Sequence, residues 1–282
     1  MAGAGSRSCR WRYALDGLQG RPLIIGHRGA GHRGGDRGED RGVSPHLTEN
    51  TLAAFRRAIA DGADGVELDV RRCSSGEVVV FHDVDLRRLA GRPERVADLP
   101  LAALREVRLA GGEGIPTLDE ALDVCGPGAL VNIEIKTDHL WPRGCAALVA
   151  GVAEAVVRAG AAGRVLMSSF SPGVLWGWRR YSSEVPSGLL FERPRPFHRP
   201  WPLRSEMALP LLGASAVHPD HSLCNLRTVA RWHRYGYSVN AWTVDAPERL
   251  RTLADLGVDA IITNDAAAAR AALRLTARAM GG

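Results

Sequence analysis

Apolar residues fall along the chain in short runs rich in β-branched types. Between the runs lie longer stretches in which they return every three or four positions. The runs are LII (23–25), VELDV (66–70), VVVF (78–81), LVNIEI (130–135), VLMS (165–168), GLL (188–190), ASAV (214–217), YSVNAWTV (237–244) and AII (260–262). Strand-like runs alternating with helical patterns are the mark of βα units around a parallel sheet. Helix signals fit between the runs. Asn50 or Thr51 can cap LAAFRRAIAD before Gly62, Thr117 with Glu120 makes a capping box, and Asp245, Pro247 and Glu248 open a helix that stops at Gly257. GCAALVAGVAEAVVRAG and the closing AAAARAALRLTARAM are strong helix formers.

Nine strands are one too many for a closed eight-stranded barrel. Only RRCSSGE separates VELDV from VVVF, and a parallel pair needs a crossover of about a dozen residues. Those two runs must therefore turn back on each other around Ser74 and Ser75. The expected fold is α/β, a TIM-like (β/α)8 barrel with a β-hairpin at 66–83. Residues 23–282 form the single barrel domain, and 1–22 are an N-terminal extension. Two stretches break the pattern: the glycine- and charge-rich 30–47 and the proline- and arginine-rich 191–204, both read as loops.

Length agrees with one unit, since the chain has 282 residues and barrels of this type run to about 250. With 45% hydrophobic and 24% charged residues the composition is that of a protein with a sizeable core. The net charge of +5 suits an anionic small molecule, and no nucleic-acid motif accompanies it. Five scattered cysteines without a CxxC pair suggest free thiols. No run of about 18 apolar residues or signal-type leader is present, so a cytoplasmic protein without stable membrane insertion is expected. The oligomeric state is left open.

The chemistry lies where polar residues interrupt apolar strands. Glu67 and Asp69 are two apart and share a strand face, as do Asn132, Glu134 and Lys136. Outward they would be solvated edge positions; inward, three carboxylates need compensating cations. Oxygen donors alone suit Mg²⁺ or Ca²⁺ rather than zinc, and Lys136 is placed to meet an anionic oxygen. Folding about Ser74 and Ser75 pairs residues whose numbers sum to about 149, which sets His82 opposite Glu67; the plainer alternative is a surface turn histidine. GHRG occurs twice, at 26–29 and 31–34. The first copy follows a strand directly, which puts His27 and Arg28 at the carboxyl end where barrel enzymes build their sites. The second, with His32, follows no strand and reads as solvated. Glu49, just ahead of a helix cap, is either a metal ligand, a partner of one, or an acid complementing the helix dipole.

Taken together, GHRG (26–29), TENT (48–51), GADGVELDV (62–70), VVFHD (79–83), IPTLDEAL (115–122), NIEIK (132–136), MSSF (167–170), AWTV (241–244) and GVDAIIT (257–263) resemble the glycerophosphodiester phosphodiesterase family. The resemblance implies metal-dependent hydrolysis of glycerophosphodiesters to sn-glycerol 3-phosphate and an alcohol. It casts His27 and His82 as the acid/base pair and Glu67, Asp69 and Glu134 as metal ligands, with Glu49 a further candidate. Arg28 and Lys136 become phosphate contacts and Trp242 a wall for the glycerol or leaving group. Four features depart from the family pattern: the long loop before TENT, Thr48 in place of proline, LRRLAGR after the HD pair, and TNDAA in place of T-D-x-P. Other readings are a related phosphodiesterase acting on lysophospholipids or another head group, with 176–204 as an apolar lip, and a non-catalytic phosphate-binding barrel.

Overall fold

The computed structural model describes residues 20–30, 47–137, 142–182, 184–192 and 209–275. His32, Cys9 and most of the 30–47 and 191–204 stretches lie outside them, as does the end of the last helix. Among the described residues nine strands form: β1 (Leu23–Gly26), β2 (Gly65–Arg72), β3 (Val78–Val80), β4 (Leu130–Ile135), β5 (Val165–Ser169), β6 (Ser187–Phe191), β7 (Ala216–Pro219), β8 (Ser238–Ala241) and β9 (Ala260–Thr263). Eight of them run parallel and close into a barrel, because β1 pairs with both β2 and β9. The ninth, β3, hangs antiparallel on β2. The expected barrel and hairpin are both present.

Alternation along each strand divides the core in two. Ile24, Val66, Leu68, Val131, Ile133, Val217 and Ile261 point outward into a large cluster shared with the helices. Leu23, Ile25, Leu130, Leu166, Ala216, Ala260 and Ile262 fill the barrel interior. The covering helices are α1 (Leu52–Ala60), α2 (Leu118–Cys125), α3 (Pro142–Arg158), α4 (Pro172–Trp178), α5 (Leu226–Arg234), α6 (Pro247–Asp255) and α7 (Ala266–Ala272). The caps explain where they begin. Thr51 caps α1 through its hydroxyl, the Thr117–Glu120 box opens α2, and Pro247 occupies the first turn of α6.

A third cluster lies outside the barrel. Val79, Phe81, Leu86, Leu89, Val96, Leu104, Val107 and Ile115 pack around β3 and the short helical turns Arg87–Ala90 and Leu101–Arg105. The segment between β2 and α2 thus has its own small core. Cys73, Cys125, Cys145 and Cys224 are buried and unbridged. Among the described residues no helix is long and apolar enough to cross a membrane.

Three details differ from the pattern-based reading. In the hairpin, Val70 opposes Val80 and Arg71 opposes Val79, so paired numbers sum to 150 rather than 149. Ladder pairing ends at Val80, Phe81 donates its N–H to the Asp69 carbonyl (2.9 Å), and His82 is not paired opposite Glu67 in the ladder. β8 ends at Ala241, leaving Trp242 on a single bridge to Asp220. Asp245 does not cap α6; Ala246 holds that position, and the Asp245 carboxylate is engaged elsewhere.

Candidate active site

The GHRG stretch turns sharply after β1. Arg28 and Gly29 adopt φ of 51° and 79°, and a Cβ on Gly29 would come within 2.6 Å of the Ala54 backbone in α1. Only glycine fits that position. The turn aims the Arg28 N–H at Glu67 Oε2 (3.0 Å), and the Arg28 carbonyl accepts from the Asn50 N–H (3.0 Å). Asn50 in turn donates through Nδ2 to Asp69 Oδ2 (2.8 Å) and accepts from the Asp69 N–H (3.2 Å). The HRG, TENT and ELD motifs are therefore one hydrogen-bonded unit. Of the two residues able to cap α1, Thr51 does so, and Asn50 is spent on Asp69.

Glu67 and Asp69 point into the barrel from β2, and Glu134 joins them from β4, where it is in register with Asp69. Oxygens of the three carboxylates lie within 4.8 Å of one another, and all three residues are buried. Burial, reinforced by Asp69 and Glu134, raises the Glu67 carboxyl well above the usual range. Burial pushes Asp69 the same way, but Lys136 and Arg28 outweigh it and hold that carboxyl well below its ordinary value. Lys136 Nζ is 3.1 Å from Asp69 Oδ1 and 2.5 Å from Glu134 Oε1, and Arg28 Nε is 3.1 Å from Asp69 Oδ2. Three carboxylates thus face two cations, and Glu67 Oε1 is buried without a hydrogen-bond partner. An all-oxygen donor set with surplus negative charge fits a hard divalent ion.

Glu49 stands apart from this trio. It is fully buried, and its Oε1 pairs with Arg28 Nη1 (2.9 Å) and Arg88 Nη2 (2.5 Å). Thr48, where the family pattern has proline, accepts from the Gly111 N–H (3.0 Å) and ties the TENT turn to the outer segment.

Both candidate histidines reach the same place. His27 Nε2 is 3.8 Å from Glu67 Oε2, and its Nδ1 is 2.9 Å from Asn264 Oδ1. His82 is half-buried, with Nδ1 2.6 Å from Asp83 Oδ1; Asp83 Oδ2 accepts from Arg88 Nε at 2.7 Å. Burial raises the Asp83 carboxyl, yet hydrogen bonds from His82 and Arg88 hold it well below its usual value. His27, His82, Glu67, Glu134, Arg28 and Lys136 line one cavity of about 200 Å³, at the carboxyl ends of the strands. Phe170 and Trp242 form its apolar wall. Their rings meet edge to face at 5.5 Å, and the Trp242 indole N–H donates to the His218 carbonyl (2.7 Å).

Among the residues of this site that escaped the sequence reading are Asp83, Arg88, Asn264, Asp245 and Phe170. Asp83 and Phe170 stood inside recognised motifs, and Arg88 and Asn264 in stretches noted only as departures. A more open groove of about 560 Å³ lies at the amino ends of β4 and β5. Its two arginines are committed to structure, Arg158 to Asp119 and Arg164 to the carbonyls of Leu122 and Ala129.

Known proteins share this chain's sequence pattern and fold. A glycerophosphodiester phosphodiesterase of Caldanaerobacter subterraneus is 32% identical over 237 residues, covering 80% of this chain and 92% of its own. Among solved structures, the glycerophosphodiester phosphodiesterase of Thermotoga maritima superposes with a TM-score of 0.68 at 26% identity, covering 87% of this chain and 96% of that one. An Oleispira antarctica phosphodiesterase, solved in complex with the product sn-glycerol-3-phosphate, has the same fold with a TM-score of 0.73 at 24% identity, covering 91% and 98%. A model of the glycerophosphoryl diester phosphodiesterase family matches residues 27–268, from His27 to the last helix. The chain belongs to the glycerophosphoryl diester phosphodiesterase family.

Proposed function

We propose that this enzyme hydrolyses small glycerophosphodiesters to sn-glycerol 3-phosphate and an alcohol, with Glu67, Asp69 and Glu134 holding a divalent cation, Mg²⁺ or Ca²⁺. The observation that carries the reading is the convergence of two imidazoles, two cationic side chains and the Glu67 and Glu134 carboxylates on one small cavity, with Asp69 clustered beside those two acids. A phosphodiester is anionic and repels nucleophiles, so its oxygens must be neutralised as charge develops. Arg28 and Lys136 line the cavity as permanent cations; burial alone would lower both, but Asp69 with Glu49 or Glu134 holds them above their ordinary values. The bound ion would supply further positive charge against the phosphoryl oxygens. One histidine accepts the proton of the attacking hydroxyl, and the other gives a proton to the departing alkoxide, so no free alkoxide is released. The attacking hydroxyl is the glycerol 2-hydroxyl or water. The product of the Oleispira antarctica enzyme is of the class assigned here. Phe170 and Trp242 offer an apolar surface to the carbon skeleton.

Glycerol 3-phosphate release from glycerophosphocholine tests this directly. The wild type should turn over and stop on addition of EDTA. His27→Ala and His82→Ala should each lose on the order of 10²–10⁴ in kcat, with calorimetric Mg²⁺ binding retained. Near-wild-type turnover in either variant defeats the assignment, and phosphate-ester binding without turnover favours the non-catalytic barrel.

A further inference from the structure

We propose that Asn264 and Asp245 are positioning residues that fix the tautomer of His27 and present its Nε2 to the cavity. His27 Nδ1 lies 2.9 Å from Asn264 Oδ1. An amide oxygen only accepts, so Nδ1 must carry a proton, which in the neutral ring leaves the lone pair on Nε2. That holds only while the amide keeps its orientation, because a flipped Asn264 would offer N–H to Nδ1 and reverse the tautomer.

Asp245 prevents the flip. Its Oδ2 accepts from Asn264 Nδ2 at 2.6 Å, and its Oδ1 accepts from the Asn264 backbone N–H at 2.8 Å and the Thr263 hydroxyl at 2.9 Å. The Asp245 carboxylate accepts on both oxygens, so the NH2 side of Asn264 must face it and the oxygen side must face His27. Chain geometry favours the arrangement. Asn264 follows β9, the neighbour of β1, and His27 receives a further tie through its N–H to the Thr263 carbonyl (2.7 Å).

The amide also explains one departure from the family pattern, asparagine where T-D-x-P has aspartate. In this chain Asp245 already lies 2.6 Å from the side chain of residue 264, and a second carboxylate there would meet a like charge. A neutral amide transmits orientation from Asp245 to His27 without adding charge beside Glu67. The two imidazoles are therefore braced differently: His82 directly by a carboxylate, His27 through an amide. Nε2 of His27 becomes the atom that exchanges protons with substrate, which rests on the hydrolytic reading of the site.

The test separates the two claims. In the Mg²⁺-loaded wild type, ring ¹⁵N shifts of His27, assigned by comparison with His27→Ala and recorded at alkaline pH, should show the Nδ1–H tautomer. Asn264→Ala should lower kcat by about 10- to 100-fold with KM changed less than twofold, and its His27 spectrum should become a tautomer mixture. Asp245→Asn should do the same while Asn264 is still present, because the amide is then free to turn. An Nε2–H tautomer in the wild type overturns the proposal, as does unchanged kcat in Asn264→Ala. If that variant fails to fold, the wild-type spectrum decides alone. Absence of all diesterase activity would sink the hydrolytic reading and leave the spectral outcome to judge the relay.

Discussion

His218 has no exposed surface. It sits on β7 with Nε2 accepting from Asn240 Nδ2 at 3.0 Å, and burial pushes its imidazole down to about 3. Space around it is fully used: a Cβ on Gly188 would lie 2.4 Å from its ring, which is why β6 carries glycine there. The folded ring is neutral, whereas in the unfolded chain it gains a proton below about 6.5. Its contribution is therefore complete above that value and declines as pH falls from about 6.5 towards 3. At pH 5 the loss should be about 2 kcal/mol. Urea unfolding at pH 7.5 and pH 5 measures it, with His218→Gln expected to lack that increment; an equal pH loss in both proteins would refute it.

At the scale of elements, the β2–β3 hairpin and β4 supply most of the site. The alternation of Glu67 with Asp69 and of Asn132 with Glu134 was readable because a two-residue period leaves only two faces, and outer helices cover one of them. Partners contributed by other elements were not readable in the same way. Asp83 and Arg88 lie in a turn with no period, and nothing local says that Arg88 reaches back 39 residues to Glu49. The hairpin register slipped by one because a tight turn with Gly76 at φ 112° sets the pairing, and residue counting cannot see the turn type. Arg88 spans Asp83 and Glu49 with two different nitrogens, a geometry a lysine ammonium cannot copy. Arg88→Lys should lower kcat about tenfold or more while calorimetric Mg²⁺ affinity stays within a few-fold. A wild-type kcat would show that the bridge has no part in holding His82.

On the scale of the whole molecule, the barrel and the outer segment are separate packing units, one with the large clusters and one with its own. The barrel's closure was legible from strand count and spacing; the separate core was not, because its residues belong to short turns without a repeat. Stability need not be uniform across the two. Hydrogen exchange should show amides such as Leu86, Val96 and Ala110, which bond within the outer segment, opening at lower free energy than those of β4 and β5. Leu104 is fully buried there, and Leu104→Ala should cost that segment about 2–5 kcal/mol. Loss of activity on heating should then precede loss of far-ultraviolet circular dichroism by several degrees, and coincident transitions would count against two units.

β3 and the turn after it bring the His82 imidazole, with Asp83 and Arg88, to a site whose other groups come from the barrel. A loosened arm would swing His82 away while the carboxylate trio remained intact in the strands behind it. Such a molecule would still sequester its ion, still look native by most bulk measures, and do no work. Damage confined to this appendage would thus pass unnoticed by a screen for bulk foldedness and be caught by one that counts product.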